Sequence, residues 1–248
     1  MYRLILGVFL CFTSQFSYGA CNLSVRVTDY QPQYYQDSNA QWQGLAVEIA
    51  EALFKQAKCD ITYVKLPWKR AIFLLERGGL DLLLNMTITA PREQFTHFIG
   101  PMMDEIQVLT VAKNSHLKIN TLDDIKQLNK RIGIDRGVFY GPEFALKIKT
   151  DSSFTKKFEY ADNSSNMAKL SAGRVLGIIS SHYAAVYRIK NVLAKGQFKL
   201  HPFYFHKTLV HLGFSKKTVS KELLRRFQQA FDVINKNGVL LKIQQKYQ

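Results

Sequence analysis

DLLLNMTITAPREQFTHFIGP, residues 81–101, runs an unbroken leucine strand into a Thr-x-Thr turn and sets Arg92 just beyond it. Three consecutive leucines describe a strand covered on both faces, and in open α/β sheets ligands sit beyond the carboxyl ends of such strands. Arg92 falls at that rim. Its planar fork matches a carboxylate bidentately and stays protonated at any working pH. The plain alternative is a surface arginine paired with Glu93 or Asp104.

Working outward, strand-like and helix-like runs alternate. Leu23 to Asp29 reads as a strand, Gly44 to Lys58 as an amphipathic helix, and Ile61 to Leu66 as a second strand. Pro67 opens a helix that ends at Gly78 and Gly79, and Asp81 to Met86 returns to strand. This βαβαβ order implies right-handed crossovers and a parallel sheet. After Pro101 the pattern restarts with a strand over Glu105 to Ala112, a Thr121-capped helical turn, a strand over Arg131 to Asp135 and a helix near Pro142 to Lys149. A helix over Asp162 to Ala172, a buried strand over Val175 to Ser180 and a helix from His182 to about Leu193 follow. Phe198 to Phe214 is β-rich with one long interruption, and the last forty residues are helical, with Ser220 as a cap and Gly238 as a stop. A second α/β unit embedded between two segments of the first is expected.

The first twenty residues stand apart. A basic start at Arg3, an apolar run from Leu4 to Phe12 and small residues at Gly19 and Ala20 describe a cleaved signal peptide. A lipoprotein signal ending at Cys21 is the weaker alternative, because Tyr18 stands where leucine is expected. Without that leader the chain keeps Cys21 and Cys59, each directly before a β-type run. If those runs are neighbouring parallel strands, about 4.8 Å apart, their first residues lie within reach of a disulfide, and export provides the oxidising compartment. Two free thiols, or a lipid on Cys21, are the alternatives.

With the leader removed, 33 basic face 19 acidic side chains, a formal charge of +14, and 47% of the whole chain is apolar, enough for a real core. Export and the absence of aromatic interleaving exclude a nucleic-acid partner, so the excess suits steering of small anions or contact with anionic envelope surfaces. No Walker loop, HExxH, GxSxG or CxxC pattern occurs, and no cofactor is expected. His201, His206 and His211 recur every five residues, an offset that alternates strand faces, so no shared metal site is expected.

The order of GLAVEIAEALFKQAK, the 81–101 stretch, TLDDIKQLNKRIGIDRG, LSAGRVLGII and NKNGVLLKIQQKY resembles the periplasmic solute-binding proteins of family 3, the amino-acid-binding type. That resemblance implies a two-lobed periplasmic-binding-protein type II fold, each lobe a mostly parallel sheet flanked by helices. Lobe 1 would hold residues 21–108 plus 210–248 and lobe 2 residues 109–209, joined by two hinge crossings near Glu105 to Ala112 and Leu209 to Phe214. It implies Arg92 on a ligand carboxylate, Asn85 and Thr87 at the turn, Asn85 replacing a frequent glycine, and Tyr30 and Trp68 as aromatics sandwiching the guest. Gly137 and Val138 fall where a strand meets a helix in lobe 2. Ser181 occupies the position of the usual acid for the α-ammonium, so that charge is lost: either the ligand is a carboxylate lacking the amine, or another acid such as Asp29, Glu48 or Asp135 compensates. Arg70 is a further anion candidate and His182 a further cleft candidate. The implied function is a monomeric periplasmic receptor, not an enzyme, closing on a carboxylate-bearing, amino-acid-like solute and delivering it to an inner-membrane ABC permease. The rivals are an exported enzyme like the cyclohexadienyl dehydratases and a soluble sensing partner of a membrane receptor.

Overall fold

The computed structural model describes residues 21–247. The expected signal peptide over residues 1–20 lies outside them. In chain order the elements are β1 (Asn22–Val27), β2 (Tyr35–Gln36), β3 (Trp42–Gln43), α1 (Leu45–Ala57), β4 (Asp60–Lys65), α2 (Trp68–Arg77) and β5 (Leu82–Met86). Then come α3 (Ala90–Glu93), β6 (Thr96–Ala112), a 3-10 turn (Asp123–Gln127), β7 (Ile132–Asp135), α4 (Pro142–Thr150) and α5 (Ser152–Thr155). The remainder is β8 (Phe158–Ala161), α6 (Asn163–Ser171), β9 (Gly177–Ser181), α7 (His182–Asn191), β10 (Phe198–Ser215), α8 (Lys221–Lys236) and α9 (Val239–Gln245).

The main sheet runs β4-β1-β5-β10-β6-β9-β7-β8. At one end β1 pairs in parallel with β4 and β5, and at the other β7 pairs in parallel with β8 and β9. Between these parallel triplets, β6 and β10 form a long antiparallel ribbon from Thr96↔Ser215 to Ala112↔Phe198. The seventeen residues of β6 extend roughly 55 Å at about 3.3 Å each, too far for one core, so the ribbon carries the chain between two halves.

Each half has its own apolar packing. On one side Val25, Leu45, Phe54, Leu84, Phe214 and Phe227 pack together, with Ala71, Leu75, Leu83 and Met86 on the opposite sheet face. Leu82, Leu83 and Leu84 are each 0% exposed, as a strand covered on both faces requires. Period-2 alternation puts Leu82 and Leu84 on one face and Leu83 on the other, yet Met86 joins Leu83. The break falls at Asn85, whose φ of 58° is left-handed. That conformation accounts for glycine's suitability at this turn, and asparagine is among the few side chains that tolerate it. In the other half Leu109, Ile132, Ile134, Phe144, Phe154 and Ile179 form the main cluster.

Several boundaries differ from expectation. β6 begins at Thr96 rather than Glu105: Gly100-Pro101 reads as a break, yet pairing with β10 continues across it. β10 is continuous where an interruption was expected, its irregularity being absorbed as register shifts beside Pro202 and near His211. Thr121 caps nothing; instead the Asp124 carboxylate accepts from the Asn120 and Thr121 amides, each at 2.9 Å. The four-residue elements α5 and β8 carry too little periodicity to be read from sequence.

Cys21 and Cys59 form the expected disulfide, with Cα atoms 4.7 Å apart directly before the paired residues Asn22 and Asp60. Closing a loop across 38 positions of sequence stabilises by roughly 3–4 kcal/mol in the chain-entropy account. The Cys59→Ser protein, or the reduced wild type, is expected to melt roughly 6–16 °C lower, at 2–4 °C per kcal/mol. Equal melting temperatures with and without reductant would contradict a stabilising bridge.

Candidate functional site

A cavity of ≈ 90 Å³ lies between the two halves. That is several times the roughly 10–15 Å³ needed to admit a single water, so the space is open to a small guest. The β1 and β5 side contributes Arg26, Tyr30, Tyr34, Trp68, Asn85, Thr87 and Arg92. The ribbon contributes Glu105 and Gln107, and the far side contributes Asp135, Val138, Phe139, Tyr140, Ile179 and Ser180.

Arg92 is 8% exposed on the short helix α3 that follows the Thr87 turn. Its Nη1 donates to the Thr87 carbonyl at 2.8 Å and its Nη2 crosses the cleft to the Gly137 carbonyl at 3.1 Å. Burial pulls the guanidinium down to about 10, against the attraction of Glu105, so it stays charged at neutral pH. The alternative of a surface pair with Glu93 or Asp104 is overturned: the side chain is buried and neither acid pairs with it. Gly137, at φ 79°, also accepts from Trp68 Nε1 at 3.1 Å. One carbonyl of the far half therefore receives an arginine and an indole from the near half. Tyr30 adds another crossing, its hydroxyl 3.4 Å from Ser181 Oγ and accepting from the Ser181 amide at 3.3 Å.

Tyr30 and Trp68 both line the cavity, but each faces a guanidinium of this chain. Arg188 lies 4.8 Å from the Tyr30 ring, while Arg26 and Arg92 lie 5.3 and 5.9 Å from that of Trp68. Asn85 reaches the rim, where its Nδ2 donates to Gln33 Oε1 at 3.2 Å and its Oδ1 has no protein partner. Gln107 Oε1 and Ser180 Oγ, also at the cavity, are equally unpaired. Buried polar atoms left in this state are uncommon and are explained where a guest supplies the missing bonds.

Of the site residues expected from sequence, Arg92, Thr87, Asn85, Tyr30, Trp68 and Val138 surround the cavity. Ser181 does not line it; its hydroxyl caps α7, accepting from the Ala184 amide. Among the three candidate compensating acids, Asp29 pairs on the surface with Lys65, and Glu48 is held by Lys246 and Tyr247. Asp135 alone of these faces the cavity, receiving Asn166 Nδ2 at 3.1 Å. Arg70 is exposed and stacks on Phe73, and His182 lines a separate groove. His201 is engaged by the Leu117 carbonyl and the Phe203 amide, and no group of three His, Cys, Asp or Glu suited to a metal occurs among the described residues.

Sequence reasoning missed Arg26 and Glu105. Arg26 had a signal, being the one charge in the strand NLSVRV, near the carboxyl end of a central parallel strand. Glu105 and Gln107 share a strand face by their two-residue spacing, and Gln107 Nε2 donates to Glu105 Oε2 at 2.8 Å. Burial pushes the Glu105 carboxyl up to about 7, against the Gln107 hydrogen bond and Arg92, and the Asp135 carboxyl up to about 6, against Arg188, the Asn166 hydrogen bond and Arg26.

Two separately packed α/β halves joined by paired strands around a charged crevice are the fold of the periplasmic-binding-protein type. The sequence profile of the bacterial extracellular solute-binding proteins, family 3, matches residues 23–248, and the chain belongs to that family. It is 24% identical over 221 residues, 88% of this chain and 80% of the relative, to a probable histidine-binding protein of Neisseria gonorrhoeae. Among solved structures it is similar to an ancestral arginine-binding protein bound to arginine, with a TM-score of 0.78, 24% identity and coverage of 91% and 97%. It is also similar to an ancestral amino-acid-binding protein described as a precursor of cyclohexadienyl dehydratase, with a TM-score of 0.71, 23% identity and coverage of 91% and 94%. No described helix is long and apolar enough to cross a membrane.

The raised carboxyls set a pH dependence. Between the unfolded values near 4 and the folded values of about 6 and 7, the folded state holds more protons, so stability falls as pH rises through that window. Glu105→Gln removes one of these ionisations. Its protein is expected to melt above wild type at pH 8, with the gap closing by pH 4.5; a gap independent of pH would contradict the assignment.

Proposed function

We propose that this protein is an exported, periplasmic, monomeric receptor that closes around a small carboxylate-bearing, amino-acid-like solute and presents it to an inner-membrane ABC permease. The observation that carries this is Arg92, buried in the crevice with its fork held between the Thr87 and Gly137 carbonyls. The halves taken to move are residues 21–108 with 210–248 against 109–209, hinged where β6 and β10 run side by side. Bonds from Arg92, Trp68 and Tyr30 across the crevice support a closed arrangement. A guest carboxylate bound to the arginine in the open form would compete with the Gly137 carbonyl for it as the crevice closes, and closure would then exclude water around the pair. Asp135 supplies a partner for a guest ammonium in place of the acid missing at Ser181.

A second reading rests on Glu105. A carboxyl poised at about 7 inside the cavity suits a general acid, as an exported dehydratase of carboxylate substrates would need. Incubation with prephenate and arogenate separates the two: release of phenylpyruvate or phenylalanine would favour the enzyme, and its absence together with tight reversible binding favours the receptor.

Arg92→Ala is expected to fold, as judged by circular dichroism, and to lose on the order of 100-fold or more in affinity for the solute. Two charge-assisted hydrogen bonds contribute roughly 1.5–3 kcal/mol each. Undiminished thermal stabilisation of this variant by the solute would refute the assignment.

A further inference from the structure

Three buried guanidiniums lie at or behind the crevice wall: Arg26, 7% exposed, and Arg92, 8%, line the cavity, while Arg188, 4%, stands one layer back against Tyr30 and lines a neighbouring pocket. Among the described residues none of them forms an ion pair; the ion pairs recorded are made by lysines. Arg26 donates from Nε to the Leu66 carbonyl at 3.1 Å, which fixes its fork between Tyr34 and Trp68 while the side chain lines the cavity. Arg188 stands behind Tyr30, and its Nη2 has no partner.

Glu105 and Asp135 face the same cavity. Fully ionised, these two acids leave the three arginines with one uncompensated positive charge, and any proton they retain increases that excess. Burying unpaired charge is strongly unfavourable, and a fold keeps such a conflict mainly where a ligand resolves it.

We propose that the guest is an amino-acid-sized solute bearing two acidic groups and a net negative charge, one group bound by Arg92 and the second by Arg26. This rests on the receptor reading and sharpens it. The two guanidinium carbons share the Trp68 ring, so they are no farther apart than the sum of their 5.3 and 5.9 Å distances to its centre. A short dicarboxylate spans that gap with one acid on each fork. An amine on the guest would be met by Asp135, and Arg188 adds positive potential from behind Tyr30 without touching the guest. A cationic side chain would instead enter beside Arg26, in a crevice already positive. The ligand class therefore differs from the arginine and histidine in the names of the relatives.

The test is calorimetric titration of the mature protein at pH 7.5 with L-aspartate, L-glutamate and succinate, against L-asparagine, L-glutamine, L-arginine and L-histidine. At least one acid is expected to bind tenfold or more tightly than its amide and than either cationic amino acid. Arg26→Met should weaken the acids at least tenfold more than the amides, with Arg26→Lys in between. If an amide or a cationic amino acid binds most tightly and Arg92→Ala abolishes that binding, the inference falls and the receptor reading stands. Equal weakening of acids and amides in Arg26→Met would leave Arg26 a structural residue and overturn its assignment. If no member of the panel binds, both readings fall. Should Arg26→Met fail to fold, Arg26→Lys and the wild-type ranking still decide.

Discussion

The bond from Arg92 to the Gly137 carbonyl is the interaction on which the rest of this structure turns. It puts a positive charge inside the protein, joins two separately packed halves, and leaves the guanidinium facing a cavity. Each property depends on local geometry set earlier in the chain. The left-handed turn at Asn85 ends the buried strand, the Thr87 carbonyl receives one edge of the fork, and Pro91 starts the short helix from which the arginine projects. On the far side, Gly137 turns its carbonyl toward the crevice at a positive φ that glycine adopts without strain.

The scaffold explains how that contact can be both firm and reversible. The β6–β10 ribbon is continuous through both halves while the apolar clusters on either side are separate, so under the proposed closure the ribbon is where bending would fall. The disulfide ties the starts of β1 and β4 together, at the end of those strands opposite Arg26. Polar contacts across the gap number a few, with net contributions of roughly 1 kcal/mol for the neutral ones and up to about 3 for the guanidinium, a scale that a bound guest can overcome or reinforce.

Much of this was legible in the sequence, for physical reasons. Consecutive leucines at 82–84, bounded by Gly78-Gly79 and the polar turn, fit a strand covered on both faces, and the alternation of elements implied parallel pairing. Arg92 was visible because it follows a strand end. The crossing strands were harder: Gly100-Pro101 and Pro202 look like breaks, and only the long partner strand keeps those segments extended. Ser181 was given a ligand-facing place by its position in the motif, whereas its hydroxyl is committed to capping α7. Glu105 and Asp135 owe their raised pKa values to burial among segments distant in sequence, which no local pattern reveals. Arg26 lay in plain view as the single charge of its strand, and its importance emerges from its burial at the cavity without an ion pair among the described residues.

The most direct test is a crystal structure of the mature protein with the solute that most raises its melting temperature. The account predicts electron density for the solute between the halves, with a carboxylate accepting two hydrogen bonds from the Arg92 fork. A solute bound elsewhere, or Arg92 turned away from it, would contradict the central claim.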